Sequence, residues 1–145
     1  MSISNEQLRG AFAQPALFLV KLQSDGFEIE GQSYAELAGR VVKTSLLRKL
    51  FEDGALSCQS KDGVTADNRS TCDQCRHPRC RPILRIQLID QQRRYLIDLN
   101  ASSANNLFAL EDRLHATDQA LASTRLRLTV FSHGQWGEVR FEPLP

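Results

Sequence analysis

The sequence predicts a mainly β chain carrying helix, an α+β fold closing as a five-stranded barrel. Three observations predict it. Leu84, Ile86 and Leu88 alternate with Arg85 and Gln87, and the same period of two recurs at Tyr95/Ile97/Leu99 and Leu126/Leu128/Val130. A period of two marks a half-buried strand. Between the second and third of these runs, Ala104, Leu107, Leu110 and Leu114 recur at the spacing of one helix face.

The elements follow in order. Residues 1–14 predict a short helix, with Ser4 as N-cap, Leu8 and Phe12 on one face and Pro15 as its stop. Residues 16–22 and 27–30 predict two strands joined by the turn Ser24-Asp25-Gly26. Residues 39–50 are ambiguous: Leu46 and Leu50 fit a helix, while Val41, Val42 and Thr44 favour a strand. The reading adopted is a strand. A turn at 90–92 then joins two strands into a hairpin, and a helix over 101–115 follows with Asn100 or Ser102 as cap. A strand around 126–130, the turn His133-Gly134-Gln135 and a strand over 137–141 complete the chain.

The chain has 145 residues, the length of one domain, with 41% hydrophobic and 24% charged residues. These are globular values and exclude a disordered chain. No apolar run approaches the roughly 18 residues of a membrane span, and residues 16–20 are too few for a signal-peptide core. The expectation is an intracellular (cytoplasmic) protein with no membrane partner.

The net charge of +1 conceals a division. Residues 39–94 hold 12 Lys/Arg and 6 Asp/Glu, and the remainder holds 6 and 11. A basic segment on an acidic background suits an anionic partner. It also suits a solvated arginine-rich surface.

All four cysteines, Cys58, Cys72, Cys75 and Cys80, fall in one segment spaced C-x13-C-x2-C-x4-C. A C-x2-C turn aims two thiolates at one metal, and two more complete a tetrahedral site. Structural Zn²⁺ is the expected cofactor. Two disulfides, or a redox Cys-x-x-Cys pair, are the other readings, and an iron centre would use the same thiolates. Four thiolates close the shell, so the metal would build architecture without activating water. Arg76 and Arg79 would balance the formal −2 of such a site.

From residue 39 the order is strand, cysteine loop, strand, strand, helix, strand, strand. That is the order of an OB-fold, with a zinc knuckle over 56–82 inserted between strands 1 and 2 and residues 1–38 as an N-terminal helix and hairpin extension. The layout resembles the zinc-bearing OB domain of the large subunit of eukaryotic replication protein A. That family also places four cysteines between its first two barrel strands, with the same intervals in rotated order. Some phage single-stranded-DNA-binding proteins are similar in joining an OB barrel to zinc. The resemblance spans about residues 39–142 as architecture, and it implies single-stranded-DNA binding with little sequence preference.

Such binding needs cations for the backbone and aromatic platforms for the bases. The candidates are Arg81, Arg85, Arg93, Arg94, Arg125, Arg127, Phe131 and Trp136. Tyr95 lies on the apolar side of its strand and is assigned to the core. His77, His115 and His133 stand in no H-E-x-x-H pattern, and no G-x-S-x-G or Walker sequence occurs. The chain is therefore expected to be non-enzymatic. The reading from a second class is an assembly module, in which the knuckle and arginines engage an acidic protein or a second copy.

Overall fold

A computed structural model describes residues 16–52, 55–60 and 80–145, with side chains over 16–48 and 81–145. The expected helix over residues 1–14 lies outside the described residues, as do Cys72 and Cys75.

Among the described residues there are nine strands and one α-helix. The strands are β1 (Ala16–Leu22), β2 (Phe27–Ile29), β3 (Gln32–Tyr34), β4 (Glu36–Glu52), β5 (Ala55–Ser60), β6 (Cys80–Asp90), β7 (Arg93–Leu99), β8 (Leu126–Ser132) and β9 (Gly137–Pro143). The helix, α1, spans Ala101–Ala116, and a 3₁₀ turn spans Leu121–Ser123. Eight strands form one path, β3-β2-β1-β7-β6-β4-β8-β9, and β5 pairs with β4 off that path. The sheet is mixed and curls into a half-barrel. Its pairs are antiparallel except β1 with β7, which run parallel with Phe18 opposite Tyr95 and Val20 opposite Ile97.

β4 resolves the ambiguity of residues 39–50 in favour of a strand and makes the curl possible. Its residues 36–39 pair with β8, and residues 40–50 pair with β6. The change of partner falls at Gly39. There a Cβ would lie 2.7 Å from the Ile89 carbonyl oxygen, so only glycine lets the two strands approach at this corner. A register shift between Val41 and Lys43 adds to the bend.

The core fills the concave side. Val20, Ile86, Leu88, Ile97, Leu99, Leu126, Leu128 and Val139 are buried at alternate strand positions, as a period of two requires. Leu107, Leu110 and Leu114 of α1 close over them. The cap is Asn100, whose Oδ1 accepts the Ser103 N–H at 3.1 Å.

α1 also lies along the free edge of β9. Asn100 donates to the Gly137 carbonyl at 2.9 Å, Asn106 donates to the Val139 carbonyl at 2.9 Å, and the Val139 N–H donates to Ser103 Oγ at 2.8 Å. Helix side chains thus occupy hydrogen-bonding groups that a further strand would have taken, which protects the edge. At the start of β9, a Cβ on Gly137 would lie 2.3 Å from the Gln23 carbonyl oxygen. The residue after β1 therefore meets β9 backbone to backbone.

The hairpins of the second half fall where the alternation places them, with β9 running two residues further. β3 and β5 were not expected, the first for its length of three residues and the second for its polar composition. β1 is no outlying extension: it takes a place within the sheet beside β7.

Candidate nucleic-acid interface

Strand alternation sorts the expected cations onto different faces. On β6, Arg81 and Arg85 share the parity opposite to the buried Leu84, Ile86 and Leu88, and so point outward. On β7, Arg94 faces outward, while Arg93 shares the parity of the buried Tyr95 and is exposed at the first position of the strand. Arg93 and Arg94 are neighbours in sequence but lie on opposite faces.

Register lines up the outer face in rows. Leu17, Arg94, Ile89 and Arg40 stand abreast on β1, β7, β6 and β4. Leu19, Leu96, Gln87 and Lys43 form the next row. In the row beyond, Arg85 stands opposite Asp98 and beside Ser45. Arg40 and Lys43 were not among the residues singled out from sequence, because β4 read ambiguously.

Several expected cations are held by carboxylates. Arg85 grips Asp98 with two bonds, Nε to Oδ1 at 2.7 Å and Nη2 to Oδ2 at 3.1 Å. The hydrogen bond to Asp98 raises the guanidinium pKa further above its ordinary range, against the opposing effect of partial burial. Arg125 reaches Asp90 at 3.3 Å, and Arg127 lies 3.7 Å from both Glu36 and Glu142. Such part-exposed pairs add little stability, yet they lower the charge these arginines offer to a phosphate.

The β8–β9 hairpin carries a column of stacked side chains. The Trp136 indole lies parallel to the His133 ring, centroids 4.1 Å apart and planes 10° apart. His133 meets the Phe131 ring edge-on at 5.1 Å, and the Arg140 guanidinium lies 4.0 Å over the Phe131 centroid. Trp136 is 44% and Phe131 45% exposed, so the column stands on the surface.

One carboxylate anchors it. Glu138 accepts from Asn106 at 3.2 Å and from Arg140 at 3.3 Å, and His133 Nε2 lies 3.3 Å from its Oε1. The hydrogen bond from Asn106, aided by those from Arg140 and His133, holds the Glu138 carboxyl below the usual glutamate range despite partial desolvation. Asn106 bonds Glu138 and the Val139 carbonyl together, so the hairpin is fixed to α1. Phe131 and Trp136 were singled out from sequence. His133, Glu138 and Arg140 were not, although the hairpin register places Glu138 opposite Phe131 and Arg140 opposite Thr129.

The cysteine segment is described only in part. Cys58 on β5 and Cys80 on β6 both pair with Leu50 of β4, from opposite sides. Two strand spacings separate their Cα atoms, roughly 10 Å. A direct disulfide between them would need about 7 Å or less.

Among the described residues no helix is long and apolar enough to cross a membrane. No protein family, no curated protein and no solved structure matches the chain.

Proposed function

We propose that this chain is a non-enzymatic binder of single-stranded nucleic acid, DNA in the first instance, with little sequence preference. The observation that carries the reading is the exposed Trp136–His133–Phe131 column capped by Arg140. Every base has a π-face, so an exposed, pre-stacked aromatic platform binds bases without reading them. The strand follows the outer face of β7, β6 and β4, where Arg40, Lys43, Arg81 and Arg94 contact phosphates and Ile89 and Leu96 offer apolar ground.

The order from β4 onward supports an OB-type barrel. β4 pairs both β6 and β8, β6 pairs β7, α1 follows β7, and β8 pairs β9. OB-folds bind oligonucleotides on the face of their second and third strands, between the loop joining strands 1 and 2 and the loop joining strands 4 and 5. Those positions correspond to β6–β7, to residues 53–79 and to the 133–136 hairpin tip.

Cys58, Cys72, Cys75 and Cys80 hold a structural zinc ion in this reading. The C-x2-C spacing of Cys72 and Cys75, with two further cysteines in the same segment, supports it. The zinc fixes the loop at one end of the binding face.

The exposed Leu17 and Leu19, the latter 72% exposed, favour a second reading: a protein partner seated on β1. Fluorescence anisotropy separates the two. The chain is titrated against a labelled single-stranded oligonucleotide and its duplex, at low and high salt. Salt-sensitive preference for the single strand is expected, with Trp136→Ala weakening it by about tenfold or more. No binding at low salt overturns the proposal and leaves the assembly module.

A further inference from the structure

At the mouth of the half-barrel away from the 133–136 hairpin lies a cleft of about 500 Å³. Three separate elements each bring a carboxylate to it. Glu30 comes from the β2–β3 turn, Glu36 from the start of β4 and Asp90 from the end of β6. Among the described residues Arg93 is the one cation in the lining. The lining is thus net −2 on a chain of net +1.

The carboxylates are incompletely matched. Asp90 uses one oxygen on Arg125 and Glu36 one oxygen on Arg127, at 3.3 and 3.7 Å. Glu30 and Arg93 make no ion pair among the described residues. Glu30 is held in place by its backbone: it takes the left-handed conformation, φ 51°, with Gly31 at φ 81° beside it.

Three aromatic rings stand in the remaining wall, beside Ile29, Leu37, Ala38 and Gln32. The Phe18 and Tyr95 rings lie 5.7 Å apart, tilted by 30°. Tyr34 contributes a third ring, steadied by its hydroxyl donating to Gln32 Oε1 at 2.9 Å. Carboxylates around aromatic faces in a cleft of small-molecule size favour one ligand charge. A cation gains from both, through ion pairing and through the ring quadrupole. A phosphate would meet three carboxylates against Arg93 alone in the lining.

We propose that this cleft binds an alkyl-guanidinium or alkyl-ammonium group, as carried by an arginine or lysine side chain or by a polyamine. The site is separate from the nucleic-acid face, and its test uses no nucleic acid, so the two readings fail independently.

The test is calorimetric titration of the full chain with N-acetyl-arginine amide. N-acetyl-citrulline amide serves as the neutral isostere. Spermidine and a pentapeptide with central arginine are further arms. Arginine amide should bind at least about tenfold more tightly than citrulline amide. The Glu30→Gln/Glu36→Gln double variant changes two exposed residues and should lose most of that difference while melting as the parent does. Tighter binding by the peptide assigns the group to a protein partner, and tighter binding by spermidine assigns it to a free polyamine. Equal binding of arginine and citrulline amides, no binding by any cation at millimolar concentration, or unchanged affinity in the double variant overturns the proposal.

Discussion

The Ser103 hydroxyl, fully buried on the first turn of α1, accepts the Val139 amide hydrogen at 2.8 Å and donates to Asn100 Oδ1 at 2.6 Å. One side chain therefore ties the helix cap to the edge of β9. Ser103→Ala leaves a buried N–H without a partner and should cost about 1–3 kcal/mol. Urea unfolding followed by circular dichroism reads it. A loss well under that range would mean that the β9 edge is satisfied in some other way.

Gly137 and Gly134 give a paired prediction. Alanine at 137 would set its Cβ against the Gln23 carbonyl at 2.3 Å and the Val130 side chain at 2.5 Å. Overpacking of that kind should cost about 2–3 kcal/mol. Alanine at 134 meets nothing within 4 Å and is opposed only by its positive φ of 89°. Its cost should be about 1 kcal/mol. Thermal melts of the two variants should keep that order.

The depressed Glu138 carboxyl predicts acid sensitivity. Its folded-state pKa lies below the unfolded one, so the charged form is favoured in the folded chain. The resulting stabilisation is complete above the ordinary glutamate pKa of about 4.3 and is lost as pH falls through the folded value. Glu138→Gln should melt lower near neutral pH and show a flatter decline on acidification. Its Trp136 emission should also shift, since His133 loses its anchor. Parallel pH profiles for parent and variant would refute this.

Binding and stability should separate among the cations. Arg85→Gln breaks the pair with Asp98 and should cost at most about 1 kcal/mol, with little change in oligonucleotide affinity. Arg40→Gln/Lys43→Gln should leave melting unchanged, weaken binding and lower the salt slope by about 2. Anisotropy titrations over a salt series read the slope. A larger binding loss from Arg85→Gln would place the nucleic acid nearer the Arg85 row.

The proposed four-cysteine zinc site predicts one zinc per chain by elemental analysis, colourless in the visible range. Cys72→Ser/Cys75→Ser should lower the zinc content to near zero, because two thiolates cannot close a tetrahedral shell. Full zinc content in that variant would exclude the four-cysteine site.

Much of this fold is legible from short-range pattern. The runs at Leu84–Leu88, Tyr95–Leu99 and Leu126–Val130 each bury one face, and Asn100 caps the helix that its position predicts. The pairing of β4 with both β6 and β8, and of β1 with β7, is not legible. Those contacts join residues far apart in sequence and leave no local periodicity. The proposed binding face is partly legible. Counting outward from the two-residue turn Gln91–Gln92 puts Arg85 opposite Asp98, and strand parity parts Arg93 from Arg94. Residue type alone overstates the free charge, because Arg85, Arg125 and Arg127 each meet a carboxylate that only the register brings to them. The role of His133 escaped because a lone histidine in a turn carries no signal until its neighbours are placed.

The parallel pairing of β1 with β7, and the meeting of Gln23 with Gly137, also set an order of assembly. β1 meets the short β2 at once, but its partner on the other edge, β7, lies about 70 residues further along, and β9 about 40 beyond that. Through that interval the edge of β1 that β7 will take, and the core residue Val20, stand open to other chains. Slow, non-local closure is the step at which aggregation competes with folding. β9 is the last of the described strands, so the backbone contact of Gly137 with Gln23 can form only once residues 137–143 have joined the sheet.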